Sequence, residues 1–252
     1  MKTNLSHEFY KMIHQRSSWV AVIVLFGLML YSATPTAYIT KNLISQGFGT
    51  GQWVIIIMIT LSANFIAMEL KNNTMTTLLY KSPNRWGVFV AKLIVLIVYS
   101  IILLIAGFIF TLIIKAVLVN SHFAWQSIYH QHTLFNSLLL NLLGVGIYLL
   151  FIISLSMLLI SLFKSSAVVI VIGLFIGFLG ANISGLIMQT FPGIKPIIAW
   201  NPLNMINIIT QLSNSSVIQS SALTNNELII GNLIYVVVFL LIGILVFRKI
   251  RL

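Results

Sequence analysis

Residues 88–119 read VFVAKLIVLIVYSIILLIAGFIFTLIIKAVLV. Lys92 and Lys115 are the only charges in this run, and Leu93 to Ile114 between them carries none. As a helix at about 1.5 Å per residue, that centre reaches about 33 Å, enough to cross a hydrocarbon core about 30 Å thick. The whole run is longer than the core needs. Both lysines are therefore expected to snorkel, with their stems on apolar surface and their ammonium groups in the two interfaces. Five more runs of spanning length flank it, at 19–38, 53–70, 134–163, 167–190 and 228–247. The reading is an all-α, polytopic membrane protein with six transmembrane helices, forming a single domain over 1–252.

The composition leads the same way. Of 252 residues, 59% are hydrophobic and 7% charged, with a mean hydropathy of +1.06. An average soluble domain is about a quarter charged, so this chain lacks the polar groups to cover a surface in water. Its acids are Glu8, Glu69 and Glu227, against 14 Lys and Arg, giving a net charge of +11. The cations sit beside apolar runs, where contact with anionic lipid and control of topology explain them better than nucleic acid does. Without cysteine, the chain can form no disulfide, Cys-ligated zinc site or iron–sulfur cluster. The first run is read as an uncleaved span, because Pro35 would fall at the third position before a cut after Ala37.

The cations also orient the spans. With the N-terminus inside, Lys2, Lys11, Arg16, Lys71, Lys81, Arg85, Lys92, Lys164, Arg248, Lys249 and Arg251 fall on the cytoplasmic side, and Lys41, Lys115 and Lys195 outside. Such an excess marks the inner face, so both termini are expected in the cytoplasm. Residues 4–16 carry Leu5, Phe9, Met12 and Ile13 on one helical face, the pattern of an in-plane amphipathic helix at the inner interface. Outside, residues 191–227 are half apolar and broken by Pro192, Pro196 and Pro202. They are expected to form a short re-entrant hairpin, too interrupted for a seventh span.

The segment between the second and third runs, residues 68–86, reads MELKNNTMTTLLYKSPNRW. Asn72 and Asn73 can cap a helix beginning near Thr74, and Pro83 would end it near Lys81. Such a two-turn helix offers Leu78 and Leu79 to a docking partner, while Arg85 can hydrogen-bond a carboxylate or exposed helix carbonyls. Taken alone, the segment also fits a charged cytoplasmic turn that obeys the charge rule. The order Glu69, Thr74, Leu78, Pro83, Arg85 and Lys92 resembles the ABC-2-type transporter permeases, including those of Gram-positive peptide and antibiotic exporters. In these, the second span is followed by Glu, three residues, Gly-Thr, then Leu, Pro and Arg, with a Lys opening the third span. Asn73 stands where that pattern has Gly; it tolerates left-handed backbone angles. The in-plane helix, the six spans and a Trp200-Asn201-Pro202 turn in the outer segment are similar to that fold as well.

The resemblance implies that residues 72–85 form a coupling loop seated in an ATPase cleft, with Glu69, Thr74, Leu78, Leu79, Pro83, Arg85 and Lys92 as the coupling residues. It implies a bacterial plasma-membrane exporter of peptide toxins or antibiotics, partnered by two ABC ATPase subunits and a second permease copy or paralogue. The chain has no G-x-x-x-x-G-K-[ST] loop and no Asp to hold magnesium, so ATP and Mg would belong to the partner. No cofactor or catalytic site is expected in this chain.

The remaining features are less specific. Gly173, Gly177, Ala181 and Gly185 recur every four residues, a stripe for close packing within the chain or against a second permease. Thr60, Ser62, Asn64, Asn182 and Ser184 are polar residues within spans and leave the substrate path unassigned. His122, His130 and His132 share an outer loop but lack the companions of a metal site. No paired Asp, H-E-x-x-H or G-x-S-G pattern supports intramembrane catalysis. With every charge expected near a span end, ion coupling is disfavoured too, and an amphipathic or lipophilic cargo suits the interior. The alternative is a stand-alone channel or a toxin-binding immunity protein.

Overall fold

The computed structural model describes residues 2–34, 36–71, 85–119 and 123–248. Helix α1 (Lys2–His14) turns by 55° at Gln15 into α2 (Arg16–Ser32). A short α3 (Lys41–Ser45) precedes α4 (Thr50–Lys71), and α5 spans Arg85–Ile114. Next come strands β1 (Ile128–Tyr129) and β2 (His132–Thr133), then α6 (Leu134–Phe163) and α7 (Ser166–Thr190). The outer segment holds three one-turn helices, α8 (Lys195–Ile198), α9 (Ile208–Gln211) and α10 (Ile218–Ser221), before α11 (Asn225–Arg248). Among the described residues, five helices are long and apolar enough to span a bilayer, and the bent pair α1–α2 makes a sixth candidate.

Local chemistry explains the boundaries. Helix α2 stops at Ser32, short of the expected Tyr38, and the sequence places Pro35 just beyond, where a helix loses a donor. Helix α4 starts at Thr50 instead of Trp53. Gly47, Phe48 and Gly49 all take positive φ, and the Thr50 hydroxyl donates to the Gly47 carbonyl at 2.5 Å, closing the turn. Lys164 adopts a left-handed conformation after α6, and its N–H donates to the Ile160 carbonyl, ending the helix with no glycine. Thr224 and Glu227 form a reciprocal capping box at α11: the Thr224 N–H donates to Glu227 Oε2 at 2.7 Å, and the Glu227 N–H to the Thr224 hydroxyl at 3.4 Å.

Helix α6 is the hub. Within its most apolar window 72% of residues are buried, against 17% for α7 and 22% for α11. It packs most extensively on α11, then on α4, α9 and α5. Buried Ser137, Asn141, Ser154 and Ser161 lie along α6, and Ser154 and Ser161 donate to carbonyls of their own helix, a cheap way to carry hydroxyls in an apolar interior. Helices α5, α7 and α11 turn broad apolar faces outward, such as Ile101, Ile105 and Ile109 on α5.

Two expectations need correction. Lys92 does not snorkel: it is fully buried and faces protein. Lys115 does not snorkel either. It is 5% exposed, in a π-helical turn (Lys115–Val119), with its ammonium 4.4 Å from the centre of the Trp125 ring. In both cases the fold supplies partners that the apolar run alone does not reveal. The outer loop also adds a hairpin to the helical architecture. His130 and Gln131 take positive φ at its two central positions, the geometry of a two-residue I′ turn.

Candidate functional site

Two places stand out, one where α1 meets the end of α4 and the start of α5, and one toward the opposite end of α4. Of the expected coupling residues, Thr74, Leu78, Leu79 and Pro83 lie outside the described residues. Glu69 and Arg85 are described only by their helix positions, near the end of α4 and at the start of α5. Lys92 is fully described. Its Nζ donates to Glu8 Oε2 at 2.9 Å and stands 4.8 Å from the centre of the Phe65 ring on α4. The other carboxylate oxygen, Oε1, accepts from Lys11 Nζ at 3.3 Å. Glu8 is 2% exposed. Because buried charges keep no water, removing one partner of such a pair costs about 3–5 kcal/mol.

The α1 face explains the placement. Leu5 and Phe9 are half-buried and Met12 is buried, all toward the protein, whereas Ile13 is 55% exposed. Much of the expected interfacial stripe therefore packs on α5. Glu8 falls on that stripe, three residues after Leu5 and four before Met12, so its carboxylate enters the core with the apolar side chains. Further contacts fix the corner. Trp19 Nε1 donates to the Ile13 carbonyl at 2.9 Å. The Tyr99 hydroxyl, on the same face of α5 as Lys92, donates to the Ser18 carbonyl at 2.6 Å.

Toward the opposite end of α4, a cavity of about 230 Å³ lies between α4, α7 and the 191–227 segment around Ile206–Thr210. Ile55, Ile59 and Phe178 give it apolar walls, Gln46, Gln52 and Asn207 add carboxamides, and no lining residue is charged. Asn141 on α6 also lines it. The side chain is buried, and Nδ2 donates to the Ile209 carbonyl at 2.9 Å, while Oδ1 has no hydrogen-bond partner among the described residues. Gly144, one turn on, lets the outer segment lie directly on α6: a Cβ there would come within 2.4 Å of the Ile208 carbonyl oxygen.

Carboxamides hold the broken outer segment together. Asn204 Nδ2 donates to the carbonyls of Ala199 and Ser221, and Gln211 Nε2 to that of Leu223 at 2.8 Å. These donors answer carbonyls that interrupted helices leave open. The small-residue stripe on α7 divides. Gly173 meets Ile59 so closely that a Cβ would stand 2.6 Å from Cγ2, whereas Gly177 and Ala181 line the cavity and Gly185 has open space beside it. Ser184 accepts from Asn201 Nδ2 at 2.9 Å, and Thr60 and Ser62 donate to carbonyls of their own helix. Among the described residues no cluster of three metal-ligating side chains occurs.

The profile of the family described as ABC-2 family transporter protein matches residues 4–180, from α1 into α7 and more than half of the chain. The chain therefore belongs to the ABC-2 family of transporter membrane proteins, the membrane component of ABC transporters. Such permeases generally work with ABC ATPase subunits. No curated protein matches the sequence. The match ends before the outer segment and α11, so the cavity lies at its boundary.

Sequence reasoning missed Glu8 and Asn141 as site residues. The signal for Glu8 was a carboxylate on an apolar stripe in a chain with three acids. Asn141 sits in a long apolar run, and nothing local in the sequence distinguishes a carboxamide that grips a distant backbone.

Proposed function

We infer that this chain is the membrane-spanning subunit of an exporter, driven by a separate ABC ATPase and moving an amphipathic or lipophilic cargo out of the cell. Membership of the ABC-2 family, reaching across residues 4–180 and thus across the 68–86 segment, carries this reading. Two permeases, copies or paralogues, and two ATPases make up the smallest machine. Counting α2 as the first of six spans, both termini and the 72–85 loop share one side, and the excess of cations on that side supports reading it as the cytoplasm of a bacterial cell. The outer segment then dips into the outer leaflet, with Asn and Gln side chains satisfying its broken backbone.

The uncharged cavity suits part of such a cargo. An engineered apolar cavity of about 150 Å³ holds benzene, so this one has room for an aromatic or branched apolar group. A formal charge would find no counterion there. Amphipathic peptide toxins of the phenol-soluble-modulin kind, the cargo of small Gram-positive permeases that this chain resembles, have such groups.

Affinity purification of the tagged protein from its native membranes in mild detergent, followed by mass spectrometry, tests the reading. A near-stoichiometric ATPase is expected, and it should be lost when Leu78, Leu79 and Arg85 are replaced together. Recovery of the protein alone, under conditions that keep a known ABC complex intact, would favour a stand-alone channel or a toxin-binding immunity protein.

A further inference from the structure

We propose that Glu8 is a positioning residue, whose buried carboxylate fastens α1 to the two helix ends from which the 72–84 segment emerges. The inference rests on reading that segment as the ATPase docking site. Its basis is where the ion pair sits. Phe65 lies six residues before Lys71, which ends α4, and Lys92 lies seven residues after Arg85, which begins α5. Both are about 10 Å, or two turns, from the roots of the segment. At that level a single ammonium touches three elements: Glu8 of α1 at 2.9 Å, the Phe65 ring of α4 at 4.8 Å, and its own helix α5.

Apolar contact would hold α1 in place without fixing its register. The attraction of Leu5, Phe9 and Met12 for α5 is non-directional, so a helix held by them alone can slide or roll. The ion pair has one register. If Glu8 shifts by a turn, two buried charges lose each other in a medium that screens little. Lys11 on the second carboxylate oxygen restrains the carboxylate further, and the Tyr99 hydroxyl on the Ser18 carbonyl holds the start of α2 to the same face of α5. A displacement of the roots is therefore delivered to α1 and α2 rather than absorbed as slippage between helices.

This chain has no native cysteine, so two introduced cysteines are the only labels it carries. Nitroxides at Ser6→Cys, on the exposed side of α1, and Ile101→Cys, on the outward face of α5, report their separation by pulsed electron resonance. Measurements use the complex with its ATPase, its own cysteines blocked, and with labelled permease diluted in unlabelled permease so that distances within one chain dominate, nucleotide-free and vanadate-trapped. In the parent, one narrow distance is expected in both states. In E8Q, the distance is expected to broaden, most of all on trapping. If E8Q does not accumulate, E8D, which keeps the charge and shortens its reach, is read the same way. A parent distance that shifts on trapping overturns the proposal, as does an E8Q distance as narrow as the parent's in both states. A parent that recovers no ATPase removes the docking reading first, and the positioning role with it.

Discussion

Asn141 shows how one side chain joins two parts of the chain. Its Nδ2 serves the Ile209 carbonyl, 68 positions away. Asn141→Leu would leave that carbonyl without its donor, at a cost of about 1–3 kcal/mol. A lower melting temperature in detergent, with the outer segment cleaved sooner by protease, is the expected result. Gly144→Ala should destabilise by about 1–3 kcal/mol, since a methyl would meet backbone and not a yielding side chain. Gly177→Ala, whose nearest neighbour would be 3.7 Å away, should melt close to the parent. At this scale the sequence is least legible. Lys92 looked like a snorkelling cation because its partner Glu8 is 84 residues away, and no local periodicity encodes that pairing.

Elements were far more legible, because each long helix is written in a continuous apolar run. The runs at 134–163 and 167–190 match α6 and α7 to within a residue. The ends that moved did so for local reasons, such as the left-handed turn before Thr50. Hydropathy could not say which helix would be the hub, since α6 and α5 are both apolar; the difference lies in small and polar residues that suit helix contacts. Lys115 tests the C-terminal end of α5. Lys115→Cys should react slowly with a maleimide while Trp125 covers it, and about tenfold faster once Trp125→Ala is added. Equal rates in the two proteins would show that the ring does not shield this position.

For the whole molecule, topology is the property most open to a direct test. His7 and Ser216 are both exposed, on α1 and in the outer segment. In intact cells a membrane-impermeant maleimide should label Ser216→Cys, and it should reach His7→Cys only after permeabilisation. Labelling of both from outside would remove the inward orientation of α1 and with it the docking of an ATPase at residues 72–85.

The buried hub also sets an order of assembly. Helix α6 finds its largest contact in α11, which begins 62 residues after Phe163. A chain is synthesised from its N-terminus at about 5–20 residues per second. For several seconds after α6 enters the bilayer, then, the flank that α11 will cover faces lipid or a chaperone. The core therefore closes only after α11 has left the ribosome, and any protein stalled or truncated within the outer segment would present that open flank to the membrane's quality-control proteases.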